Sequence, residues 1–333
     1  MAESSPLLGS LLQHFFAHHL VHHKHASPQT IASYRDTFRL LLEFFQQKSG
    51  IEPSRLRVTD LDVPTTLNFL DYLELNRRNS VRSRNLRLAA IRSFFRLVAL
   101  RDPAHVDLAS RILAIPVKRS ERKVVGYLTR PEVEAILSTH DLSKWQGRRD
   151  YALLLTLYNT GARVSELINL EQNQAQFSPT SFLTLSGKGR KQRTIPLWNN
   201  TSRTLRRWFQ ELQTMSITIA FPNARGSPLS RDGINYILQA SVRRAAQTCP
   251  SLSSKRVSPH TIRHTTAMHL LQSGVDITVI ALWLGHESIE TTHTYVEADL
   301  ATKEKAVQRI AQPGSRYTRF KAGDSLLRFL ATL

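Results

Sequence analysis

Ser258-Pro259-His260-Thr261-Ile262-Arg263-His264 is the stretch on which the reading of this chain turns. A serine followed by a proline marks a helix start. The serine side chain can accept from a free backbone N–H, and proline at the first helical position gives up an N–H that would lack a partner. His260 then lies in the first turn, with Arg263 and His264 at i+3 and i+4 on the same face. A helix N-terminus attracts anions through its free N–H groups and dipole, and an arginine adds a planar fork matching two phosphate oxygens. The helix is expected to end at Gly274. Asp276 should cap another that ends at Gly285, giving Leu284-Gly285-His286, and Tyr295 follows nine positions later.

Two further motifs lie upstream. Asp150 to Thr160 reads as an apolar helix stopped by Gly161, within Thr160-Gly161-Ala162-Arg163-Val164-Ser165-Glu166-Leu167. Phe182–Leu185 and Thr194–Leu197 read as short strands around Gly187-Lys188-Gly189-Arg190-Lys191, a hairpin whose glycines let a lysine swing into a cleft. Taken singly, each motif has an ordinary reading: a surface Arg163–Glu166 pair, a lysine in a basic turn, a tyrosine packed beside Val296. Their order is what carries weight. Cations, imidazoles and one phenol, with no carboxylate pair, suit a site that holds a phosphodiester and attacks it covalently. A phenol with pKa ~10 needs cationic surroundings or a base to do so. Tyr317 also has arginine neighbours, but no Gly-His landmark precedes it. A zinc site on His260 and His264 is disfavoured, because the metalloprotease pattern needs Glu where Thr261 stands.

The bulk numbers agree. In 333 residues, 45 Lys and Arg outweigh 26 Asp and Glu, for a net charge of +19, which suits a polyanionic partner, DNA or RNA, and almost equally a generally basic, soluble enzyme. This length suggests about two domains. Cys249 is the sole cysteine, so one chain builds no disulfide or thiolate metal site. The N-terminus lacks a signal-peptide start, and the apolar run Ala152–Leu157 is far short of the ~20 residues a membrane span needs. A soluble, cytoplasmic protein with no membrane contact is expected.

The first third reads as helices: one from Ser27-Pro28 with Ile31, Tyr34, Phe38, Leu41, Leu42 and Phe45 at helical spacing, a shorter one from Pro64 through Leu67, Leu70 and Leu73, and a third opened by Ser80 with Leu88, Ile91, Phe95 and Val98 as its apolar stripe. Arg82, Arg92 and Arg96 fall roughly opposite that stripe, amid Arg77, Arg78, Arg84, Arg87 and Arg101, a face suited to phosphate. His14, His18 and His22 share one helix face, read here as solvated rather than metal-binding. A polar, basic stretch from Pro116 to Val124 reads as a linker, and Thr129-Arg130-Pro131-Glu132 is a capping box opening a second domain. Helices follow near Thr201–Gln213 and Asp232–Gln247. The fold class is therefore mainly α with one small antiparallel sheet. The expected divisions are a helical domain at 1–115, a basic linker at 116–126, a catalytic domain at 127–311 and a tail at 312–333.

Arg163, Lys188, His260, Arg263, His286 and Tyr295, in this order and spacing, resemble the catalytic set of the tyrosine recombinases, the Xer-type and phage-integrase family. The likeness is strongest from about Tyr127 to Leu300. It implies a helical, SAM-like core-binding domain and a catalytic domain that clamp duplex DNA. By that likeness Tyr295 attacks a phosphate to form a 3′-phosphotyrosyl link. Arg163 and Arg263 hold the non-bridging oxygens, His286 adds a hydrogen bond, His260 assists proton transfer, Lys188 protonates the leaving 5′-oxygen, and Glu166 supports them. Arg190, Lys191 and Arg193 would contact backbone phosphates. The resemblance implies no metal or cofactor, double-stranded DNA with paired recombination sites as partner, a tetramer of identical chains on two sites, and service to a mobile element in a bacterial cytoplasm. The chain begins near the core-binding helices, as in simple members without an arm-binding domain. The apolar stretch Asp324–Leu333 is expected to dock on a neighbouring protomer. A type IB topoisomerase-like nicking enzyme, a non-enzymatic DNA-binding regulator and a metal-dependent nuclease are the competing readings.

Overall fold

The structure is a computed structural model that describes residues 7–119, 126–187, 191–286 and 292. The chain divides into two compact units, Met1–Arg122 and Lys123–Leu333.

The first unit is helical. α1 (Leu8–His14) runs into a π-helical stretch, Phe15–His23, in which Lys24 N–H reaches back five residues to His19 O at 2.9 Å. α2 (Pro28–Ser49), α3 (Val63–Leu75), α4 (Val81–Arg101) and α5 (Val106–Ala114) follow. The starts of α2 to α4 have local causes: the Ser27, Asp62 and Ser80 side chains accept from the N–H groups of Thr30, Thr65 and Ser83. Each satisfies one donor that the helix cannot. The predicted stripe of α4, Leu88, Ile91, Phe95 and Val98, is wholly buried and packs with Phe15, Phe38, Leu41, Phe69 and Phe94. α3 is turned slightly from expectation: Phe69, Leu70 and Leu73 face inward and Leu67 faces out.

The basic face of α4 is smaller than the sequence suggests. Arg82 and Arg96 are exposed. Arg92 instead donates to the Ile115 carbonyl just past α5. Arg84 is buried against Glu74, with Nε 3.7 Å from its carboxylate, and Arg87 donates to Ser33 O and Thr37 Oγ1. The start of the expected linker is likewise tied down. Asn85 Nδ2 donates to Lys118 O at 2.8 Å and accepts from Lys118 N–H at 3.2 Å, while the Lys118 ammonium pairs with Glu74.

The second unit holds α6 (Arg130–Ser138), α7 (Trp145–Thr160), α8 (Val164–Ile168), α9 (Asn199–Thr214), α10 (Arg231–Ala245), α11 (Pro259–Gln272) and α12 (Ile277–Leu284). It also holds a sheet in the order β1 (Ala175–Gln176), β2 (Phe182–Ser186), β3 (Gln192–Pro196), antiparallel throughout. The fold class matches the sequence reading, with β1 as an added edge strand. The capping box at α6 forms as written: Thr129 N–H donates to Glu132 at 2.7 Å and Glu132 N–H to Thr129 Oγ1 at 3.4 Å. Leu183, Leu185 and Ile195 turn one face of the sheet into a core with Leu153, Leu157, Leu167, Leu205 and Phe221. Gly161 ends α7 at φ +59°, and a Cβ there would stand 2.6 Å from Leu284 Cδ2. Only glycine lets α7 and α12 meet so closely. No described helix is long and apolar enough to cross a membrane.

Candidate active site

Three helix ends meet beside one strand. Arg163 is the N-cap of α8, Arg263 sits one turn into α11, and α12 stops at Gly285 (φ +64°) immediately before His286. The end of α12 leaves carbonyls with no intrahelical partner, at the negative pole of the helix dipole. Three guanidiniums take three successive ones: Arg193 Nε donates to Trp283 O at 2.9 Å, Arg263 to Leu284 O at 2.6 Å, and Arg163 to Gly285 O at 3.0 Å.

Arg263 is 2% exposed and also donates to Gly161 O at 2.6 Å, so it joins the end of α7 to the end of α12. The Arg163 side chain is 39% exposed. Its backbone N–H donates to Glu166 Oε2 at 2.7 Å and its guanidinium to Oε1 at 3.2 Å. Glu166 is 2% exposed in its side chain. Burial pushes its carboxyl up, but hydrogen bonds and charge from Arg193, then Arg163, hold it below the usual carboxylate range. It is ionised at neutral pH.

His260 is exposed at the start of α11, its ring centroid 4.7 Å from that of His264. His286 Nδ1 lies 2.8 Å from Thr292 Oγ1. Burial, with the positive charge of Arg263, Arg163, His264 and Arg193 behind it, brings His286 down to about 4. His264 also falls to about 4, through burial and then His260 and Arg263. A neutral His286 that accepts from Thr292 carries its proton on Nε2, the form that donates to an anion. Arg163, Arg263 and Arg193 thus form a positively charged cluster beside two neutral imidazoles, His264 and His286.

The structure corrects one expected role. Arg193 is not on a phosphate-facing surface. In β3 it pairs with Leu185 of β2 and follows the inward alternation of Ile195, so it lies on the buried face. Its side chain is 12% exposed and forks onto Glu166 with two bonds of 2.7 Å. Lys191 is exposed at the foot of the hairpin. Arg92 is turned to Ile115 O as described, while Arg82 and Arg96 remain available to solvent. Lys188, Arg190 and Tyr295 lie outside the described residues, as does the tail expected to dock on a neighbour. Thr292 and the Arg193 fork were not singled out from the sequence. The fork had a signal, since Arg193 is two residues from Ile195 in a strand of period two. Thr292 had none.

Comparison with known proteins gives the class. Residues 126–301 match the phage integrase family and residues 13–101 match the phage integrase N-terminal SAM-like domain. The chain is 48% identical over 326 residues to the "Putative integrase/recombinase y4rC" of Sinorhizobium fredii, covering 98% of each. It is 32% identical over 287 residues to the tyrosine recombinase XerC of Oceanobacillus iheyensis, covering 84% of this chain and 89% of that one. The same fold occurs in the XerH recombinase bound to its palindromic difH substrate (TM-score 0.69, 20% identity, 86% of this chain and 81% of that one). It occurs also in the Tn1549 transposon integrase bound to transposon right-end DNA (TM-score 0.69, 17% identity, 91% and 99%). The chain belongs to the phage integrase family and is a tyrosine-type site-specific recombinase, an enzyme of DNA strand breakage and rejoining.

Proposed function

We propose that this recombinase acts on duplex DNA carrying paired recombination sites, through a covalent link between the Tyr295 phenolic oxygen and the 3′ side of the broken strand. Attack breaks the bond to the 5′-oxygen, which leaves as a hydroxyl with a proton from Lys188. The reverse attack by a 5′-hydroxyl restores the phosphodiester and frees the tyrosine, so the cycle needs no outside energy source. Arg163 and Arg263 bear the charge that builds on the non-bridging oxygens, and His286 adds a neutral donor. Fixed donors aimed at developing charge are the strongest device available for such a step. His260, exposed at the α11 N-terminus, handles the phenolic proton. The observation that carries this reading is the convergence of Arg163, Arg263 and His286 at the end of α12.

The domain scheme belongs to the same proposal: a helical DNA-binding module at 1–115, a basic tether at 116–126, the catalytic module at 127–311 and a tail at 312–333 that reaches a neighbouring protomer. Four chains would assemble on two sites, in the service of a mobile element. The test is a nicked suicide substrate bearing the chain's own target site. The native protein should yield a complex that survives denaturation and Tyr295→Phe should yield none. Equal trapping by both would remove Tyr295 from the reaction. Exchange between two sites on one plasmid tests the pairing, and relaxation without exchange would favour a nicking-closing enzyme.

A further inference from the structure

Arg193 is a largely covered cation that none of the assigned roles uses, and its surroundings say what it does. Its fork covers both oxygens of Glu166 at 2.7 Å, and its Nε takes the first of the three carbonyls at the end of α12. Gly285 makes room for it, since a Cβ there would stand 3.1 Å from Arg193 Cδ and from its guanidinium. Gly187, the residue before Lys188, also borders the pair: a Cβ on it would come within 3.4 Å of Glu166 Oε1, and its N–H closes the neck of the hairpin on Lys191 O at 2.8 Å.

Charge decides the consequence. Glu166 is a desolvated carboxylate with two guanidiniums on it, so the trio of Arg163, Glu166 and Arg193 carries one net positive charge. With Arg193 removed, Arg163 becomes the sole counter-ion of a buried anion. A buried charge left with one partner grips that partner hard. The remaining pair is neutral and offers little to a phosphate. Arg193 therefore frees Arg163.

We propose that Arg193 is a positioning residue of the strand-transfer site: it neutralises Glu166, so that the Arg163 guanidinium stays at the α12 end with its charge available to the scissile phosphate. This rests on the reading of Arg163 as a phosphate-holding group. A residue that contacts DNA would behave differently, because losing a phosphate contact weakens binding and lowers the salt slope of binding by about one.

The experiment measures covalent-complex formation on the suicide substrate, with equilibrium DNA binding across a salt series, for the full chain and three variants. Arg193→Gln should slow complex formation by about 10²-fold, the scale of a lost transition-state donor, with binding and its salt slope unchanged. Glu166→Gln added to Arg193→Gln removes the anion that captures Arg163 and should restore about tenfold of that loss. Arg193→Lys, which keeps the charge, should stay within about tenfold of the native rate, and it carries the test if Arg193→Gln does not fold. A reduced salt slope, no rescue in the double variant, or Arg193→Lys as slow as Arg193→Gln would each overturn the proposal. Failure of the underlying reading looks different: the native chain itself would then form no Tyr295-dependent complex.

Discussion

At the residue scale, the two arginines proposed to hold the phosphate sit in unlike settings, and their variants should separate accordingly. Arg163 is partly exposed and shares its carboxylate with Arg193. Arg163→Ala should slow covalent trapping by roughly 10²–10³-fold, the cost of one transition-state donor, and leave the melting temperature nearly unchanged. Arg263 is buried and bridges the Gly161 and Leu284 carbonyls. Arg263→Ala should abolish trapping and also destabilise the fold by roughly 2–3 kcal/mol, because two buried acceptors lose charged donors. Paired melting and trapping assays on the two variants check the contrast; equal stability loss would show that the Arg263 bonds are not structural. Arg163, Arg263 and His286 were legible in the sequence because helix caps and glycine stops fix where they stand. What was not legible is which side chains they touch. Arg193 counts as a basic residue in composition, and only the pairing of Leu185 with residue 193 shows that it faces the core.

At the element scale, caps gave reliable helix starts: Ser27, Ser80, Thr129, Ser258 and Asp276 each accept from a backbone N–H as their type predicts. Several elements escaped, α5 and the five-residue α8 among them. β1 is two residues long, too short for a period to register. The π-helical turn of Phe15–His23 carries a helical apolar pattern whose hydrogen-bond offset sequence does not encode. It still stacks His14 on His18 at 4.9 Å, as the shared face required. The contact between α7 and α12 supplies the prediction at this scale. Gly161→Ala forces a side chain into a left-handed backbone and against Leu284. The strain at such a position is ~1–3 kcal/mol, so the variant should melt lower and trap DNA more slowly, since Arg163 and Arg263 both take their bearings from these two ends. Unchanged melting would mean α12 can withdraw without cost.

At the scale of the whole molecule, pH is the informative variable. His140, His264 and His286 are each brought from 6.5 to about 4, by burial first and by neighbouring cations second. Below pH 6.5 the unfolded chain takes up protons at these rings that the folded chain refuses. Stability is therefore fully present above 6.5 and is lost as pH falls towards 4. Melting temperature should drop through that window, and His140→Asn, at a ring that contacts Ser241 of α10, should shallow the slope. A flat profile would mean these rings are not neutral. The net charge of +19 by itself suited a polyanion partner and a merely basic enzyme almost equally, and much of that charge is engaged inside the fold: Arg84, Arg92, Arg149, Arg193 and Arg263 donate to carbonyls and carboxylates.

The grip of Asn85 on Lys118 has an outcome for protease access at the edge of the helical unit. Asn85 of α4 holds the backbone of Lys118 from both sides and Glu74 of α3 holds its ammonium, so 116–118 travel with the helical unit. Asn85→Ala should therefore speed tryptic cutting after Lys118, and an unchanged rate would mean that Glu74 alone is enough to shield it.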